Sequence, residues 1–216
     1  MFKDREEAGV LLAQALHQNG WVFDVVLGIP RGGIVPARQV ADAFARPLDV
    51  LLAKKMGSPS LPEYAVGAVT PDGEILVHER LQALWEEQRE PIQRMAETVQ
   101  NELNRQLALF RSHTEAVPLQ GQRVLVVDDG IATGFTIKAA IRYLKRQGVS
   151  EIRIAVPVCS QSAHRTLSEE ADAIMVLHIP ERMYAVSQHY QDFSSVEDRE
   201  VIQILCEEAK KRQSSP

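Results

Sequence analysis

Thirteen residues, Val124-Leu-Val-Val-Asp-Asp-Gly-Ile-Ala-Thr-Gly-Phe-Thr136, decide the fold class of this 216-residue chain. Residues 124–127 are apolar and mostly β-branched, which is typical of a parallel strand buried on both faces. Two carboxylates, Asp128 and Asp129, end this strand, and a loop of glycine and threonine leads to a helical pattern that starts at Ile137. Loop N–H groups and the helix dipole favour an anion at such a turn. The carboxylates add ligands for Mg²⁺ or for sugar hydroxyl groups.

The rest of the chain alternates between strand and helix patterns, which predicts an α/β fold with a parallel sheet. Apolar runs bounded by turn residues predict strands at 21–29, 48–53, 123–127, 152–158 and 173–179. Apolar residues at helical spacing predict helices at 3–19, 34–44, 137–147, 161–169 and 196–210. A short hairpin is predicted from 65–70 and 74–77. We expect these elements to form a single domain over residues 1–216.

Residues 78–113 depart from this alternation, because they are rich in Glu, Gln and Arg and predict a helical insertion with a break at Pro91. After the proline, apolar residues recur three or four apart and form a stripe on one helix face: Ile92, Met95, Val99, Leu103, Leu107 and Phe110. A stripe of this kind is more often a packing face or a dimer face than a ligand site. A homodimer is therefore one expectation.

Composition excludes several classes of function. The formal net charge is −5 and there is no long basic block, so nucleic acid is not expected as a main partner. No apolar stretch reaches the ~18–20 residues that a membrane span needs, and the charged start does not resemble a signal peptide. The two cysteines, Cys159 and Cys206, lack metal-ligand spacing. We expect a cytoplasmic protein without a membrane partner.

A second glycine-bearing turn, Gly28-Ile-Pro-Arg-Gly-Gly-Ile-Val-Pro36, also lies between a predicted strand and a predicted helix. Its glycines let the backbone approach a ligand closely, and Arg31 supplies a forked cation for phosphate oxygens. The basic run Lys54-Lys55-Met56-Gly57 is predicted to end the next strand. Since ligands gather at the carboxyl ends of parallel strands, Arg31, Lys54 and Asp128 are expected to share one site. An ordinary strand–helix turn and two solvated lysines are the alternative.

The acidic segment resembles the phosphoribosyl-pyrophosphate (PRPP) signature of the type I phosphoribosyltransferases, in which an apolar run and two acids precede Thr-Gly-x-Thr, here residues 133–136. The turn around Arg31 is similar to the family's pyrophosphate loop. The resemblance covers residues of about 22–179 and implies a parallel-sheet type I phosphoribosyltransferase fold with a helical insertion and a small hood at about 180–195. A flavodoxin-like or response-regulator-like strand would explain the acids, as a Mg²⁺ site alone, but not the whole loop.

The resemblance implies a Mg²⁺-dependent enzyme that transfers the phosphoribosyl group of PRPP to a nucleobase-like nitrogen and releases pyrophosphate. Asp128 and Asp129 are the implied catalytic and metal-binding residues. The implied substrate-binding residues are Arg31, Gly32, Lys54, Lys55, Gly130, Ala132, Thr133, Gly134, Phe135 and Thr136. It also implies a cis peptide bond between Pro30 and Arg31. The composition of residues 57–62 predicts a mobile lid.

The acceptor is open at this level. Ala132 stands where the hypoxanthine–guanine and xanthine enzymes of the family carry Asp. The adenine and uracil enzymes carry Ala at this point, as this chain does. The resemblance therefore disfavours a 6-oxopurine. Tyr184, Tyr190 and Phe193 either stack on a flat base or pack the hood on the core. Two other functions are consistent with the pattern: a PRPP-sensing regulator without significant catalysis, and a structural interaction protein that uses the apolar stripe.

Overall fold

The computed structural model describes residues 1–57, 65–77, 89–112 and 114–214 of the chain. Five strands of this part form a parallel sheet: β1 (Val25–Gly28), β2 (Leu48–Val50), β6 (Arg123–Val127), β7 (Glu151–Val158) and β8 (Ala173–His178). Strands β3 (Lys54–Gly57), β4 (Ala65–Val69) and β5 (Ile75–Val77) form a separate antiparallel sheet in that order. The prediction of an α/β fold with a parallel sheet is confirmed.

The order of the parallel strands places the expected site. It runs β2-β1-β6-β7-β8, so β1 lies between the strand that follows it and a strand from much later in the chain. The connections therefore leave β1 and β6 in opposite directions across the sheet. In open α/β sheets, ligands bind outside the carboxyl ends of the strands at such a switch point. The glycine turn after β1 and the acidic segment after β6 both lie there.

Helices cover both faces of the parallel sheet: α1 (Arg5–Gln18), α2 (Ile34–Phe44), α3 (Arg89–Phe110), α4 (Phe135–Arg146), α5 (Gln161–Ser168) and α6 (Asp198–Ser214). Alternate side chains of a strand point to opposite faces. Leu125 and Val127 accordingly pack in a core with α1, α2, α3 and α6, whereas Val124 and Val126 pack in a second core with α4 and α5. This two-sided burial explains why the strand is a continuous apolar run. No helix in the described ranges is both long enough and apolar enough to cross a membrane.

The small sheet corrects one prediction. The hairpin of β4 and β5 is confirmed, but Lys54–Gly57 does not end the strand that begins at Leu48. The N–H of Leu51 still donates to the carbonyl of Gly28 (3.0 Å), after which the chain leaves the parallel sheet and Lys54 pairs with Val69. An unbroken apolar run carries no signal for a change of sheet, so the turn was not visible in the sequence.

The insertion helix α3 packs its apolar stripe against the same chain. Leu103 and Phe110 are buried in the core beneath the parallel sheet, whereas Ile92 and Ala96 pack against the small sheet. The predicted packing face is therefore intramolecular. The helix already includes two residues ahead of Pro91, so the predicted break at this proline is wrong.

Some predictions concern residues outside the described ranges. The first part of the insertion, residues 78–88, and residues 58–62 of the expected lid belong to these. Three helix starts differ from prediction among the described residues. Helix α1 begins two residues later than expected, at Arg5. Helix α4 begins two residues earlier than expected, at Phe135, and α6 begins two residues later, at Asp198. Thr136 is thereby placed in the first turn of α4.

Asp49 joins the end of the insertion to the parallel sheet. Its side chain lies on β2 and the residue is only 3% exposed. Oδ1 accepts hydrogen bonds from Arg111 (2.5 Å) and from the N–H of Val50 (2.7 Å), and Oδ2 accepts one from the N–H of Val117 (2.8 Å). A buried carboxylate is tolerated only when it is paired in this way.

We expect Asp49→Ala to lower the free energy of unfolding by about 3 kcal/mol, because it leaves two N–H groups and the Arg111 guanidinium without their acceptor. Chemical denaturation of the purified variant measures this. The control is Arg94→Ala, which removes an exposed pair with Glu90 on α3 and should change stability by less than about 0.5 kcal/mol. Similar losses in both variants would contradict the structural role given to Asp49.

Candidate active site at the carboxyl ends of β1 and β6

Strands β1 and β6 are direct neighbours, so the two glycine-containing loops emerge side by side. Gly28 pairs with Val127 in the register, and the N–H of Ile29 donates to the carbonyl of Val127 (3.0 Å). The peptide bond between Pro30 and Arg31 is cis, as predicted. The structure therefore brings Arg31 and Gly32 next to the acidic pair that follows β6.

The two glycines after Arg31 permit direct contact between this turn and the acids. A Cβ atom on Gly33 would lie 2.6 Å from Oδ1 of Asp128, and one on Gly32 would overlap Oδ2 of Asp129. The sequence suggested that these glycines serve close approach to a ligand. In the structure they also serve close approach to the two carboxylates.

The two carboxylates lie side by side in a partly buried place. The N–H of Asp129 donates to Oδ1 of Asp128 (2.9 Å). Burial raises the pKa of Asp128 well above its usual value, and the charge of Asp129 raises it further, while Lys55 opposes both effects. Burial likewise raises the pKa of Asp129, against a hydrogen bond from Arg5. A cation or hydroxyl donors would relieve this repulsion, so the pair favours such ligands.

The loop after the acids is held by β7 and by the start of α5. The N–H of Ile131 donates to the carbonyl of Val158 (2.9 Å), and the Ser160 hydroxyl donates to the carbonyl of Ala132 (2.6 Å). Gly130 has no room for a side chain, since a Cβ atom would lie 2.5 Å from Val186 of the segment that follows β8. These contacts fix the loop beside the acidic pair, and the space at the carboxyl ends of β1 and β6 is called the crevice below.

The loop then enters α4 through Gly134, whose φ of +74° lies in the left-handed region that favours glycine. Thr133 is exposed beside this turn, and Thr136 lies in the first turn of α4. The first N–H groups of a helix have no intrahelical acceptor, and together with the helix dipole they favour an anion. The side chain of Phe135 packs against the cluster of Ala68, Leu76 and Ala139, which joins the small sheet to α4.

The structure separates the two lysines of the basic run. Successive side chains of a strand point to opposite sides, and both lysines lie on β3. Lys55 is exposed and its charge acts on Asp128, whereas Lys54 Nζ lies 2.5 Å from Oε1 of Glu102 on the insertion helix. Lys54 lines a cavity of about 400 Å³ that also contacts Arg31 and Asp198.

Arg5 is a site residue that sequence reasoning missed. Its Nε donates to Oδ2 of Asp129 (2.6 Å), although the two residues lie 124 positions apart. The sequence offers no signal for this contact, because Arg5 belongs to a charged stretch that is typical of a solvated helix start. Asp4 caps this helix by accepting a hydrogen bond from the N–H of Glu7 (2.8 Å).

The aromatic residues of the expected hood have different environments. Tyr190 is 5% exposed and its hydroxyl donates to the carbonyl of Asp129 (2.6 Å), so it packs the segment on the core. The ring of Phe193 lies against Tyr190 and beneath the Arg5 guanidinium. Tyr184 is 78% exposed, which leaves its ring available to a ligand. The ring of His189 lies 5.4 Å from that of His178, and burial lowers the pKa of His189.

Residues 5–192 match the family model described as the phosphoribosyl transferase domain. The chain belongs to this family. Over 205 residues it is 36% identical to a Mycobacterium tuberculosis protein whose name gives it provisionally as a phosphoribosyl transferase. This match covers 95% of the chain but 46% of the relative, so the chain spans about half the length of that curated relative.

Two further proteins are similar to this member of the phosphoribosyltransferase family. The crystal structure of TT1426 from Thermus thermophilus is 38% identical, covers 96% of this chain and 99% of its own, and superposes with a TM-score of 0.82. An adenine phosphoribosyltransferase of Bordetella avium is 52% identical over 48 residues, which is 22% of this chain and 26% of that enzyme. The first match extends over the whole fold, and the second is local.

The contact between Gly32 and Asp129 predicts a specific coupling in this family member. Gly32→Ala should lower the free energy of unfolding by about 1–3 kcal/mol, because its Cβ overlaps the carboxylate. In an Asp129→Ala background the same change should cost much less, since the overlapping atoms are gone. Denaturant titrations of the two single variants and the double variant give this coupling.

Gly121→Ala serves as the control for this cycle. Gly121 also resists substitution, because its φ is +73°, but apart from its chain neighbours no atom of the described residues lies within 4 Å of its Cβ position. Its cost of about 1–2 kcal/mol should be the same with and without the Asp129 carboxylate. Full additivity of Gly32→Ala and Asp129→Ala would contradict the contact.

Proposed function

We propose that the chain transfers the phosphoribosyl group of PRPP to a ring nitrogen of a nucleobase-like acceptor and releases pyrophosphate. The observation that supports this most is the direct contact of the Gly32-Gly33 turn with Asp128 and Asp129. In this proposal a turn suited to pyrophosphate, carboxylates suited to ribose hydroxyls and a helix N-terminus suited to phosphate belong to one site. PRPP carries these three groups in one molecule.

Each part of the crevice receives a role in the proposal. The backbone of residues 133–136 and the first turn of α4 bind the 5-phosphate. Asp128 and Asp129 hold the ribose hydroxyls, directly or through Mg²⁺. The turn at Arg31 and Gly32 takes the leaving pyrophosphate, together with Lys55 from the acid side and Lys54 from the cavity side. Gly130 and Ala132 shape the wall nearest the acceptor.

This reaction depends mainly on the positioning of the two reactants and on electrostatic stabilisation of the transition state. The bond between C1 of the ribose and the pyrophosphate oxygen breaks as the acceptor nitrogen bonds to C1, and the proton of that nitrogen passes to the leaving pyrophosphate or to water. Positive charge develops on the sugar during this exchange. The neighbouring carboxylates of Asp128 and Asp129 favour that charge, while the cations at the turn favour the negative charge on the leaving group.

Mg²⁺ fits the same residues, because it commonly binds through one or two carboxylates together with substrate phosphates and water. Asp128 and Asp129 would hold it, and it would neutralise phosphate charge and orient the pyrophosphate. The carboxylates supply the hard oxygen donors that this ion prefers.

Adenine is the acceptor that we propose to test first. Ala132 lacks the carboxylate that a 6-oxopurine would need, and the local match to the Bordetella avium adenine enzyme points the same way. The exposed ring of Tyr184 offers a surface on which a flat base stacks. Uracil is the second acceptor to test.

A PRPP-sensing role without significant turnover is the second candidate function. The pairing of Lys54 with Glu102 favours it, since this cation is already neutralised by the insertion helix. A sensor would bind PRPP through the crevice and report it without an acceptor. The two functions differ in whether pyrophosphate appears.

The deciding experiment incubates the chain with PRPP, Mg²⁺ and a panel of bases that includes adenine, uracil and hypoxanthine. Pyrophosphate release and the mass of any nucleotide formed are measured. Nucleotide formation with one base establishes the transferase and names its acceptor. PRPP binding without pyrophosphate release supports the sensor, and absence of PRPP binding contradicts both.

Asp128→Asn keeps the size of the side chain and removes one negative charge. We expect turnover to fall about 10²-fold or more, equivalent to ~2.7 kcal/mol of barrier. Stability should hold or rise, because a neutral side chain relieves burial and repulsion beside Asp129. A pyrophosphate assay and thermal melts test this pair of outcomes. Lost stability with unchanged PRPP affinity would identify Asp128 as a purely structural residue.

Glu102→Gln should release Lys54 for an anionic ligand. An exposed pair of this type is worth ~0.2–1 kcal/mol, so binding of Mg²⁺-pyrophosphate should tighten by about threefold at low salt. Glu97→Gln is the matched control, because it makes the same charge change on an exposed part of α3 and should leave binding unchanged. Isothermal titration gives both affinities. Unchanged or weaker binding in Glu102→Gln would remove Lys54 from the pyrophosphate site.

A further inference from the structure

Arg5 has an unusually complete set of contacts for the first residue of a helix. Its side chain is 11% exposed. Besides the bond from Nε to Asp129, Nη1 donates to the carbonyl of Ser194 (2.7 Å), and the guanidinium carbon lies 3.7 Å from the centroid of the Phe193 ring. A planar guanidinium that is bonded in its plane and stacked on its face is fixed in orientation. The chain therefore holds this arginine rigidly.

The position of Asp129 depends on this arginine. Arg5 occupies Oδ2 and leaves Oδ1 for other partners. The backbone of Asp129 is held at the same time, because its carbonyl accepts the hydroxyl of Tyr190. A Cβ atom on Gly32 would lie 2.9 Å from Nε of Arg5, so the glycine turn also packs against the pair. Side chain, backbone and neighbouring turn together determine where Asp129 points.

The two acids of the crevice therefore have different partners. Asp128 receives the N–H of Asp129, and across the described ranges no cation lies within salt-bridge distance of it. Lys55 acts on it only through longer-range attraction. Asp129 carries a permanent counter-ion from its own chain. The pair thus combines one carboxylate that has an internal counter-ion with one that has none within salt-bridge distance among the described residues.

We propose that Arg5 is a positioning residue for the phosphoribosyl site, which fixes Asp129 so that only Oδ1 meets the ribose and leaves Asp128 as the main ligand for Mg²⁺. This inference rests on the proposed function. Arg5 also joins residues 190–194 to the acid pair, since its guanidinium contacts Phe193 and Ser194. The carboxylate is then oriented before PRPP arrives, which lowers the cost of binding.

The test compares PRPP affinity in the presence of Mg²⁺, by isothermal titration, at a temperature where circular dichroism shows every variant folded. Arg5→Gln should weaken PRPP binding about tenfold. Arg123→Gln is the matched control, because Arg123 makes a two-nitrogen pair with Asp24 (2.9 and 2.7 Å) at the opposite end of β6. It should lower stability and change PRPP affinity less than about twofold.

Double variants separate positioning from a general loss of structure. Arg5→Gln combined with Asp129→Asn should bind PRPP within about twofold of Asp129→Asn alone, because both changes remove the same pair. Arg5→Gln combined with Asp128→Asn should show the product of the two single effects. Arg5→Lys keeps the charge but not the planar contacts, so its PRPP affinity should lie between wild type and Arg5→Gln. It also serves as the test variant if Arg5→Gln does not fold.

Several outcomes would overturn the inference. Unchanged PRPP affinity in Arg5→Gln removes the positioning role while the proposed function stands. Tighter binding shows that Arg5 competes with the ligand for Asp129. Equal losses in Arg5→Gln and Arg123→Gln show an effect of stability alone. A wild-type chain that binds no PRPP overturns the proposed function and the inference together.

Discussion

Two neighbouring carboxylates in a partly buried place repel each other, and several groups around the crevice reduce this repulsion. Asp128 and Asp129 have no freedom to move apart, because they directly follow β6 in the middle of the parallel sheet. The chain meets the constraint with an internal cation on one acid and an exposed lysine near the other. The remaining imbalance is what a bound cation or a sugar would relieve.

The same constraint explains why distant parts of the chain converge here. The N-terminal helix supplies Arg5, the segment after β8 supplies Tyr190, and the small sheet supplies Lys55. The small sheet is itself attached to α4, since Arg146 pairs with Asp72 (2.8 Å) and with Glu74. At the other end of α4, Phe135 packs against Ala68 and Leu76 of the small sheet, so both ends of this helix contact the sheet that carries Lys55.

The insertion helix α3 supplies a carboxylate beside Lys54, which the parallel sheet alone does not. Its apolar stripe closes the core, and its polar side carries Glu102 toward Lys54 and the cavity beside Arg31. The helix thereby helps to line the same cavity as Arg31. In the proposed function, the insertion adjusts the charge available to the leaving group without touching the ribose.

The sequence by itself determined those features that depend on short-range patterns. Three local features predicted the fold and the edge of the sheet where the crevice lies: the apolar run of β6, the acids that end it and the glycine turn after β1. They did so because strand burial and helix starts leave local signatures in a sequence. Only the tertiary structure decided that Lys54 and Lys55 face different partners, that Tyr190 packs while Tyr184 is exposed, and that Arg5 binds Asp129. The physical reason is that these outcomes depend on which surfaces meet in three dimensions. Two residues 124 positions apart share no periodicity that a sequence displays.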